Sequence, residues 1–263
     1  MKRFVLALAL AVFARAQDFK LDPVPQELIE KRLRSFDRNN SRREQILKRM
    51  FEDAGCPAGA LSEPPVPHVR APNLVCVDAG TSPATIIVGA HFDMVDVGDG
   101  VVDNWSGAAL LTSLFQALGA RKHTFEFVAF TGEERGLLGS KEFAKTVDRE
   151  QVRAMINMDT LGLADTKVWA SRADPDLVQW LAVAASALKL PVGVVNVDNI
   201  GTTDSESFRL KKIPAITIHS LTQPTLRVLH SPRDTMKVVD LDAYYRTYRL
   251  MLGYLLVLDQ KLD

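Results

Sequence analysis

Apolar segments of β-strand character alternate with helical segments along most of this chain, and this alternation constrains the fold more than any other feature. The strand-like segments are 74–77, 85–90, 124–130, 152–158, 168–171, 192–197 and 215–219. The helical segments are 26–52, 105–118, 138–147, 174–190, 205–210 and 241–258, and a proline-rich passage at 57–72 is expected to be a surface loop. Such a series predicts an α/β sandwich, in which helices flank a mixed, mostly parallel central sheet.

The length of the chain favours a single domain. With 263 residues and a hydrophobic content of 47%, it can bury one large core. We therefore expect one domain over residues 17–263.

The N-terminus has the pattern of an export signal. Two basic residues precede an apolar run at 4–13, and Ala14-Arg15-Ala16 follows as a cleavage site. The run is too short to cross a bilayer core of about 30 Å. We predict that residues 1–16 are a signal peptide, that the mature protein is secreted or periplasmic, and that it has no membrane association after cleavage.

The balance of charge bears on which partners the protein can bind. Lys plus Arg and Asp plus Glu are equal at 32 each, which argues against nucleic acid as a partner.

Cys56 and Cys76 are the only cysteines. In an exported protein they are candidates for one disulfide, although the sequence leaves their pairing open. We expect a monomer.

Residues of the kind that bind metals directly follow three predicted strands. His91 and Asp93 follow the first, Glu133 and Glu134 the second, and Asp159 the third. Because functional residues in open α/β sheets collect beyond the carboxyl ends of the strands, we expect these side chains to share one edge. Imidazole nitrogen and carboxylate oxygen together suit zinc, and the set contains no cysteine, which disfavours a closed structural site.

The adjacent pair Glu133-Glu134 needs a cation nearby. Two carboxylates at a sheet edge would be desolvated and would repel each other without one. Glu134 can bind a metal while Glu133 stays free to accept a proton from water.

Five ordered segments resemble the co-catalytic zinc exopeptidases, a family that includes secreted bacterial leucyl aminopeptidases, glutamate carboxypeptidases and glutaminyl cyclases. The segments are Gly-Ala-His-Phe-Asp at 89–93, Asp-Asn-Trp-Ser-Gly-Ala-Ala at 103–109, Gly-Glu-Glu-Arg-Gly-Leu-Leu-Gly-Ser at 132–140, Asn-Met-Asp at 157–159 and His-Ser-Pro-Arg-Asp-Thr at 230–235.

The resemblance implies two zinc ions. His91 and Asp159 would bind one ion, Glu134 and His230 the other, and Asp103 would bridge them. It also implies a cis peptide bond after the bridging aspartate.

The resemblance further implies a general base and two supporting carboxylates. Glu133 would be the base. Asp93 and Asp234 would orient the imidazoles of the ligand histidines.

Asp103 is the best candidate for the bridging residue on local grounds as well. It precedes a predicted helix, where the macrodipole favours an anion. Asp96 and Asp99 are rivals, but they lie in a glycine-broken loop without the Asn-x-Ser-Gly pattern.

The activity that the resemblance implies is removal of the N-terminal residue from peptide substrates. A glutaminyl cyclase is the main alternative, but this chain lacks the long aromatic insertion after the paired glutamates and has Leu229 before the final histidine. A carboxypeptidase would need cationic groups, for which the unclustered candidates are Arg135, Arg172, Arg209 and Arg233. A non-catalytic relative would have lost ligands or the base, and all six are present.

The chain departs from the family pattern near residue 205. Ser205 stands where many relatives carry histidine, and Ile200 and Leu229 stand where some carry a tyrosine that stabilises the oxyanion. The second metal or a backbone N–H must then serve. His219 is expected either to line the pocket or to be a hydrogen-bonded structural residue, and Trp105 to pack against the core.

Overall fold

A computed structural model describes residues 21–198 and 201–263. The predicted signal peptide and Ile200 lie outside these ranges. The strands are β1 (Leu61–Ser62), β2 (Leu74–Asp78), β3 (Ser82–His91), β4 (His123–Phe130), β5 (Val152–Met158), β6 (Lys167–Val168), β7 (Gly193–Val194) and β8 (Ala215–His219). The α-helices are α1 (Gln26–Leu33), α2 (Asn40–Asp53), α3 (Ser106–Leu118), α4 (Leu138–Thr146), α5 (Pro175–Leu188), α6 (Ser205–Arg209) and α7 (Leu241–Lys261).

The described strands form one sheet of eight in the order β1-β2-β4-β3-β5-β8-β6-β7. Its centre, β4-β3-β5-β8, is parallel throughout. Antiparallel pairs occur between β1 and β2, β2 and β4, and β6 and β8. The prediction of a mixed, mostly parallel sheet is therefore confirmed.

Both faces of the sheet are covered by helices. On β3, Ile86 and Val88 belong to one buried core and Ile87 to the other, as the alternation of side chains along a strand requires. The larger core includes residues of α1, α2, α3, α5 and α7, and the smaller includes Phe143 of α4 and Phe208 of α6. This is the layered sandwich predicted for the chain.

The prediction of one continuous helix over 26–52 was wrong. The chain leaves the helix after Leu33 and starts a new one at Asn40. Asp37 Oδ1 accepts a hydrogen bond from the Asn39 N–H, and Asn39 Oδ1 accepts one from the Arg42 N–H. These short polar side chains replace helical hydrogen bonds at the break and cap the second helix.

Smaller differences occur in loops and at strand ends. The proline-rich passage contains the short strand β1, the strand predicted at 192–197 is limited to β7, and the one at 168–171 turns into a 3₁₀ helix after β6. Trp105 is fully buried, as expected. Among the described helices, none is long and apolar enough to span a membrane.

Cys56 and Cys76 form a disulfide between the end of α2 and the middle of β2. Both cysteines are buried. The bond fixes the helical pair α1 and α2 to the sheet and closes a loop with a sequence separation of 20 residues.

Replacing both cysteines with serine should lower the free energy of unfolding by about 3 kcal/mol, because a loop of this length gains that much entropy in the unfolded state. Urea unfolding of wild type and the double variant measures the difference. Two titratable thiols in the denatured, unreduced wild-type protein would contradict the assignment.

Candidate metal centre

The candidate ligands meet at the carboxyl ends of the central parallel strands. His91 is the last residue of β3, Asp159 follows β5, and Glu133 and Glu134 lie in the loop after β4. The candidate ligands therefore lie at the edge of the sheet where the parallel strands have their carboxyl ends, as expected.

Asp103 lies in the turn 101–105, which leads into α3. The peptide bond to Asn104 is cis, as the resemblance implied. The Asn104 side chain fixes the turn, because its Nδ2 donates to the Met158 carbonyl at 2.9 Å while its Oδ1 accepts from the N–H groups of Gly107 and Thr160. The start of α3 is thereby tied to the end of β5.

Gly107 is required for this close approach. A Cβ at this position would lie 2.7 Å from the Met158 carbonyl oxygen and 3.0 Å from Ala90 Cβ. The Asn-x-Ser-Gly pattern after Asp103 is thus explained by packing of α3 against the sheet.

The carboxylate of Asp103 is shared between two groups of ligand atoms. Its Oδ1 lies 3.3 Å from His91 Nε2, and its Oδ2 lies 3.3 Å from His230 Nε2. Asp159 Oδ1 lies 3.8 Å from His91 Nε2, and Glu134 Oε2 lies 3.0 Å from His230 Nε2. The structure thus brings together all five predicted ligands as two triads with Asp103 in common.

The spacing of these donors fits zinc. Ligands bound tetrahedrally at about 2.0–2.1 Å lie about 3.4 Å apart, and the distances above bracket that value. One further observation favours a cation: Glu134 Oε1 is buried without a hydrogen-bond partner. The triad with His230 is the more open of the two, since that side chain is 58% exposed.

Glu133 lies close to the same atoms. Together with His91 and Glu134 it forms a further group whose ligand atoms are within 4.8 Å of one another. Because this group reuses residues of the two triads, it places Glu133 beside them and does not define an additional site. The rival Asp99 instead has its carboxylate 3.9 Å from Arg38, and Asp96 is exposed.

Asp93 supports both His91 and the glutamate loop. Its Oδ1 lies 3.6 Å from His91 Nδ1, and its backbone carbonyl oxygen lies 3.2 Å from the same nitrogen. Its carboxylate also accepts hydrogen bonds from the N–H groups of Glu133 and Glu134, at 3.1 and 3.3 Å. One buried carboxylate therefore aligns an imidazole and the paired glutamates.

Asp234 supports the backbone that carries Asp103. Its carboxylate accepts hydrogen bonds from the N–H groups of Val102 and Asp103, at 2.7 and 3.0 Å. Among the described residues, the His230 ring lies within 4.0 Å of the carboxylates of Asp103 and Glu134 and not of Asp234. That Asp234 orients the imidazole of His230 stays a prediction.

The carboxylates crowded into the site raise the pKa values of the two ligand histidines. Burial lowers the pKa of His91, but Glu133, Asp103 and Asp159 outweigh this and raise the pKa well above its ordinary value. The hydrogen bond that the His230 ring donates to the Asp103 carboxylate raises the pKa of His230 to about 9. Without a metal, both shifts therefore favour the doubly protonated, cationic form of the imidazole.

The pKa values of the paired glutamates are raised as well. Burial raises the pKa of Glu133 to about 10, with the charge of His91 opposing and that of Asp204 adding to the shift. Burial and the neighbouring Asp103 raise the pKa of Glu134 to about 7. Each shift has the sign expected for anions crowded into a low-dielectric site.

The segment after residue 200 fills the space beside the site. Ser205, in the place of the family histidine, hydrogen-bonds to Thr203 and Thr217 at 3.1 and 2.8 Å. Asp204 is fully buried, and burial raises its pKa to about 7. The missing histidine is thus replaced by a hydroxyl network.

A pocket opens over both triads. Its floor contains the carboxylates of Asp103, Glu133, Glu134 and Asp159. One wall is apolar and is built by Trp169, Val197, Leu221 and Leu229, which come from separate loops. Of these wall residues, the sequence singled out only Leu229, because a wall assembled from distant loops leaves no local motif.

His219 has both of the roles considered for it. It lines the pocket, its Nε2 donates to the Val195 carbonyl at 2.9 Å, and its Nδ1 accepts from the Leu221 N–H at 3.0 Å. Burial lowers its pKa to about 4, so the ring is neutral and holds the apolar wall in place.

The chain is similar to known aminopeptidases in sequence. A probable leucine aminopeptidase of Arthroderma otae is 31% identical over 138 residues, which is 46% of this chain and 37% of that protein. The curated relatives are longer proteins, of which this chain spans between 28% and 58%.

Solved structures share the fold. The LapA aminopeptidase of Legionella pneumophila superposes with a TM-score of 0.77 at 21% identity, covering 91% of this chain and 73% of that one. A glutaminyl cyclase from an Acidobacteriales bacterium superposes with a TM-score of 0.76 at 16% identity, covering 93% of this chain and 99% of that one.

The family itself follows from the sequence match. The model of peptidase family M28 matches residues 73–255, which is well over half of the chain and includes every candidate ligand. The chain therefore belongs to peptidase family M28.

Proposed function

We propose that this protein is a two-zinc aminopeptidase that removes the N-terminal residue from peptides. The observation that carries the proposal is the Asp103 carboxylate, whose two oxygens lie 3.3 Å from the imidazoles of two separate ligand triads. A carboxylate in this position fits a bridge between two cations better than any contact within the protein alone.

The chain supplies the donors for both ions. His91 and Asp159 would hold one zinc, Glu134 and His230 the other, and Asp103 both. Zinc bound there would acidify the attacking water and polarise the scissile carbonyl.

Glu133 is the proposed general base. It lies beside the ligand atoms without being needed in either triad, and Asp93 fixes its backbone N–H. In a loaded site, positive charge would lower the pKa of Glu133 and leave a carboxylate ready to accept a proton. Glu133 would take that proton from the attacking water and deliver it to the leaving amine.

The charge of the pocket favours an N-terminal over a C-terminal substrate group. Its floor is acidic, and no lysine or arginine lines it among the described residues. Arg172 stacks on Trp169 and lies 3.3 Å from Asp198, while Arg209 pairs with Glu206. The site thus fits an α-ammonium group, whereas a carboxypeptidase would need a free cation there.

The apolar wall indicates the side chain that the pocket accepts. Trp169, Val197 and Leu221 are buried, and the neutral His219 accepts a hydrogen bond from the Leu221 N–H. We propose that large apolar first residues bind against this wall.

No tyrosine is free to stabilise the oxyanion. All four tyrosines lie on α7, and the hydroxyls of Tyr244 and Tyr254 donate to backbone carbonyls of Ser106 and Leu177. We propose that a backbone N–H or the second ion takes this role.

A glutaminyl cyclase is the second candidate, because a solved cyclase matches this chain over nearly its whole length. Two local features favour the peptidase. The loop between the paired glutamates and α4 is only three residues long, 135–137, and the pocket residue before His230 is Leu229 and not an aromatic residue.

We also propose that the protein is exported and acts as a monomer. The signal-like sequence at 1–16 and the buried Cys56–Cys76 disulfide support export, since disulfides persist in oxidising compartments.

Zinc binding to the metal-free protein at pH 7 should release roughly two or more protons, because ligation requires neutral imidazoles and those of His91 and His230 are protonated. The release should decline as the pH rises through about 9. Calorimetry in buffers of different ionisation enthalpy measures it. His230→Gln should release fewer protons, and His68→Gln, at an exposed histidine outside the motifs, should match wild type. Zinc binding without proton release would contradict the ligand assignment.

Glu133→Gln should keep the bound zinc while kcat falls by a factor of about 10²–10⁴, the usual contribution of a general base. Metal analysis and steady-state kinetics on the same sample test this. Glu150→Gln, at an exposed glutamate, is the matched control. Wild-type turnover by zinc-loaded Glu133→Gln would mean that another group is the base.

A peptide panel separates the candidate activities. Leucyl peptides with a free N-terminus should be cleaved, N-acetylation should lower kcat/KM by at least about 100-fold because the acidic floor loses its cationic partner, and C-terminal amidation should have no effect. Released amino acids and ammonia are measured. Equal cleavage of acetylated peptides, or a pyroglutamyl product with ammonia from a glutaminyl peptide, would overturn the aminopeptidase proposal.

A further inference from the structure

Arg43, on α2, is fully buried, and its four hydrogen bonds within the described part of the chain all go to backbone carbonyl groups. Its Nε donates to Asp37 at 2.6 Å and its Nη1 to Phe92 at 2.9 Å. Its Nη2 donates to Asp99 at 2.6 Å and to Gly100 at 2.9 Å. Within the described ranges, no carboxylate lies within 4.0 Å of the guanidinium as an ion-pair partner, so its charge faces the site without direct neutralisation.

Apart from that of Asp37, the carbonyls that it binds belong to two segments that carry candidate metal ligands. Phe92 directly follows His91, and Gly100 directly precedes the turn 101–105 that carries Asp103. One rigid guanidinium therefore spans both segments and fixes the separation between His91 and Asp103.

The surrounding packing leaves this arginine little freedom. Its guanidinium lies 5.5 Å from the centre of the Trp105 ring. Gly100 has a φ of +56°, and a Cβ there would lie 2.8 Å from Nη2. Asn40, one turn earlier on α2, exchanges hydrogen bonds with the backbone of Met94 at 3.1 and 3.4 Å. The start of α2 is thus hydrogen-bonded to both ends of the loop between His91 and Asp103.

The charge of Arg43 also suits its position. Burial lowers its pKa to about 10, against the opposing charges of Asp234, Asp93 and Asp103, so it remains a cation at neutral pH. A buried positive charge behind the site reduces the repulsion among carboxylates that must lie close together to share ions.

We propose that Arg43 is a positioning residue of the metal centre, which holds the His91 and Asp103 segments at the separation required for zinc and offsets their negative charge. The proposal rests on the zinc site of the proposed function. It extends beyond the family match, because α2 precedes the matched residues 73–255.

The test compares Arg43→Met and Arg43→Lys with a matched control, Arg32→Met. Arg32 is also buried and lies on the neighbouring helix α1, but its side chain binds Ser113 and Gln116 on α3 and not the site. Zinc affinity is measured by competition with a fluorescent chelator on folded protein, alongside thermal unfolding of the metal-free forms and kcat and KM with a leucyl substrate.

Arg43→Met should weaken zinc binding by about 10–100-fold, the range found when groups that hold metal ligands are removed. Arg43→Lys should weaken it by roughly 3–10-fold, because one ammonium cannot reach all the carbonyls. For both variants kcat should fall while KM stays within about twofold, since Arg43 does not line the pocket. Arg32→Met should lower the unfolding temperature but leave zinc affinity within about twofold of wild type.

A zinc affinity of Arg43→Lys within twofold of wild type would overturn the proposal, even if Arg43→Met does not fold. An equal loss of affinity in Arg32→Met would also overturn it, because the effect would then be general destabilisation. Failure of the wild-type protein itself to bind zinc would instead overturn the proposed function, and this inference with it.

Discussion

The structure depends on how the Asp103 carboxylate is held between two imidazoles in a site crowded with negative charge. Asp93, Glu133, Glu134 and Asp159 surround it in a largely buried environment, where like charges repel strongly. Burial, to which this repulsion adds, raises the pKa values of the paired glutamates and favours their protonated forms. Two zinc ions would replace those protons with fixed charge, and this is the physical reason to expect a pair of ions in the site.

Much of the remaining structure serves to keep that carboxylate in place. Asp234 binds the backbone N–H groups of Val102 and Asp103, Asn104 ties the turn to the end of β5, and Arg43 holds the preceding carbonyls. These contacts link the turn 101–105 to three distant parts of the chain, which are α2, the end of β5 and the 230–235 turn. The parallel centre of the sheet supplies the rigid edge from which His91 and Asp159 extend.

Patterns in the sequence predicted the features that are local. Buried strands, helices and the ligands directly after strands are set by neighbouring residues, and the structure brings together every predicted ligand. The break before α2 was missed although it is local, because its capping residues lie in a segment with helical spacing. Features that depend on long-range contacts were missed as well. Asp234 binds a backbone more than a hundred residues away, and the pocket wall joins Trp169, Val197 and Leu221 from separate loops. Arg43 belongs to no recognisable sequence motif, because its partners are backbone carbonyls, which every residue has.

If Asp103 bridges two zinc ions, both should be visible by anomalous diffraction from crystals of the zinc-loaded protein, recorded on both sides of the zinc absorption edge. We expect two peaks, one beside His91 and Asp159 and one beside Glu134 and His230, with the Asp103 carboxylate between them. A single peak, or zinc that does not contact Asp103, would show that this carboxylate is not a bridge.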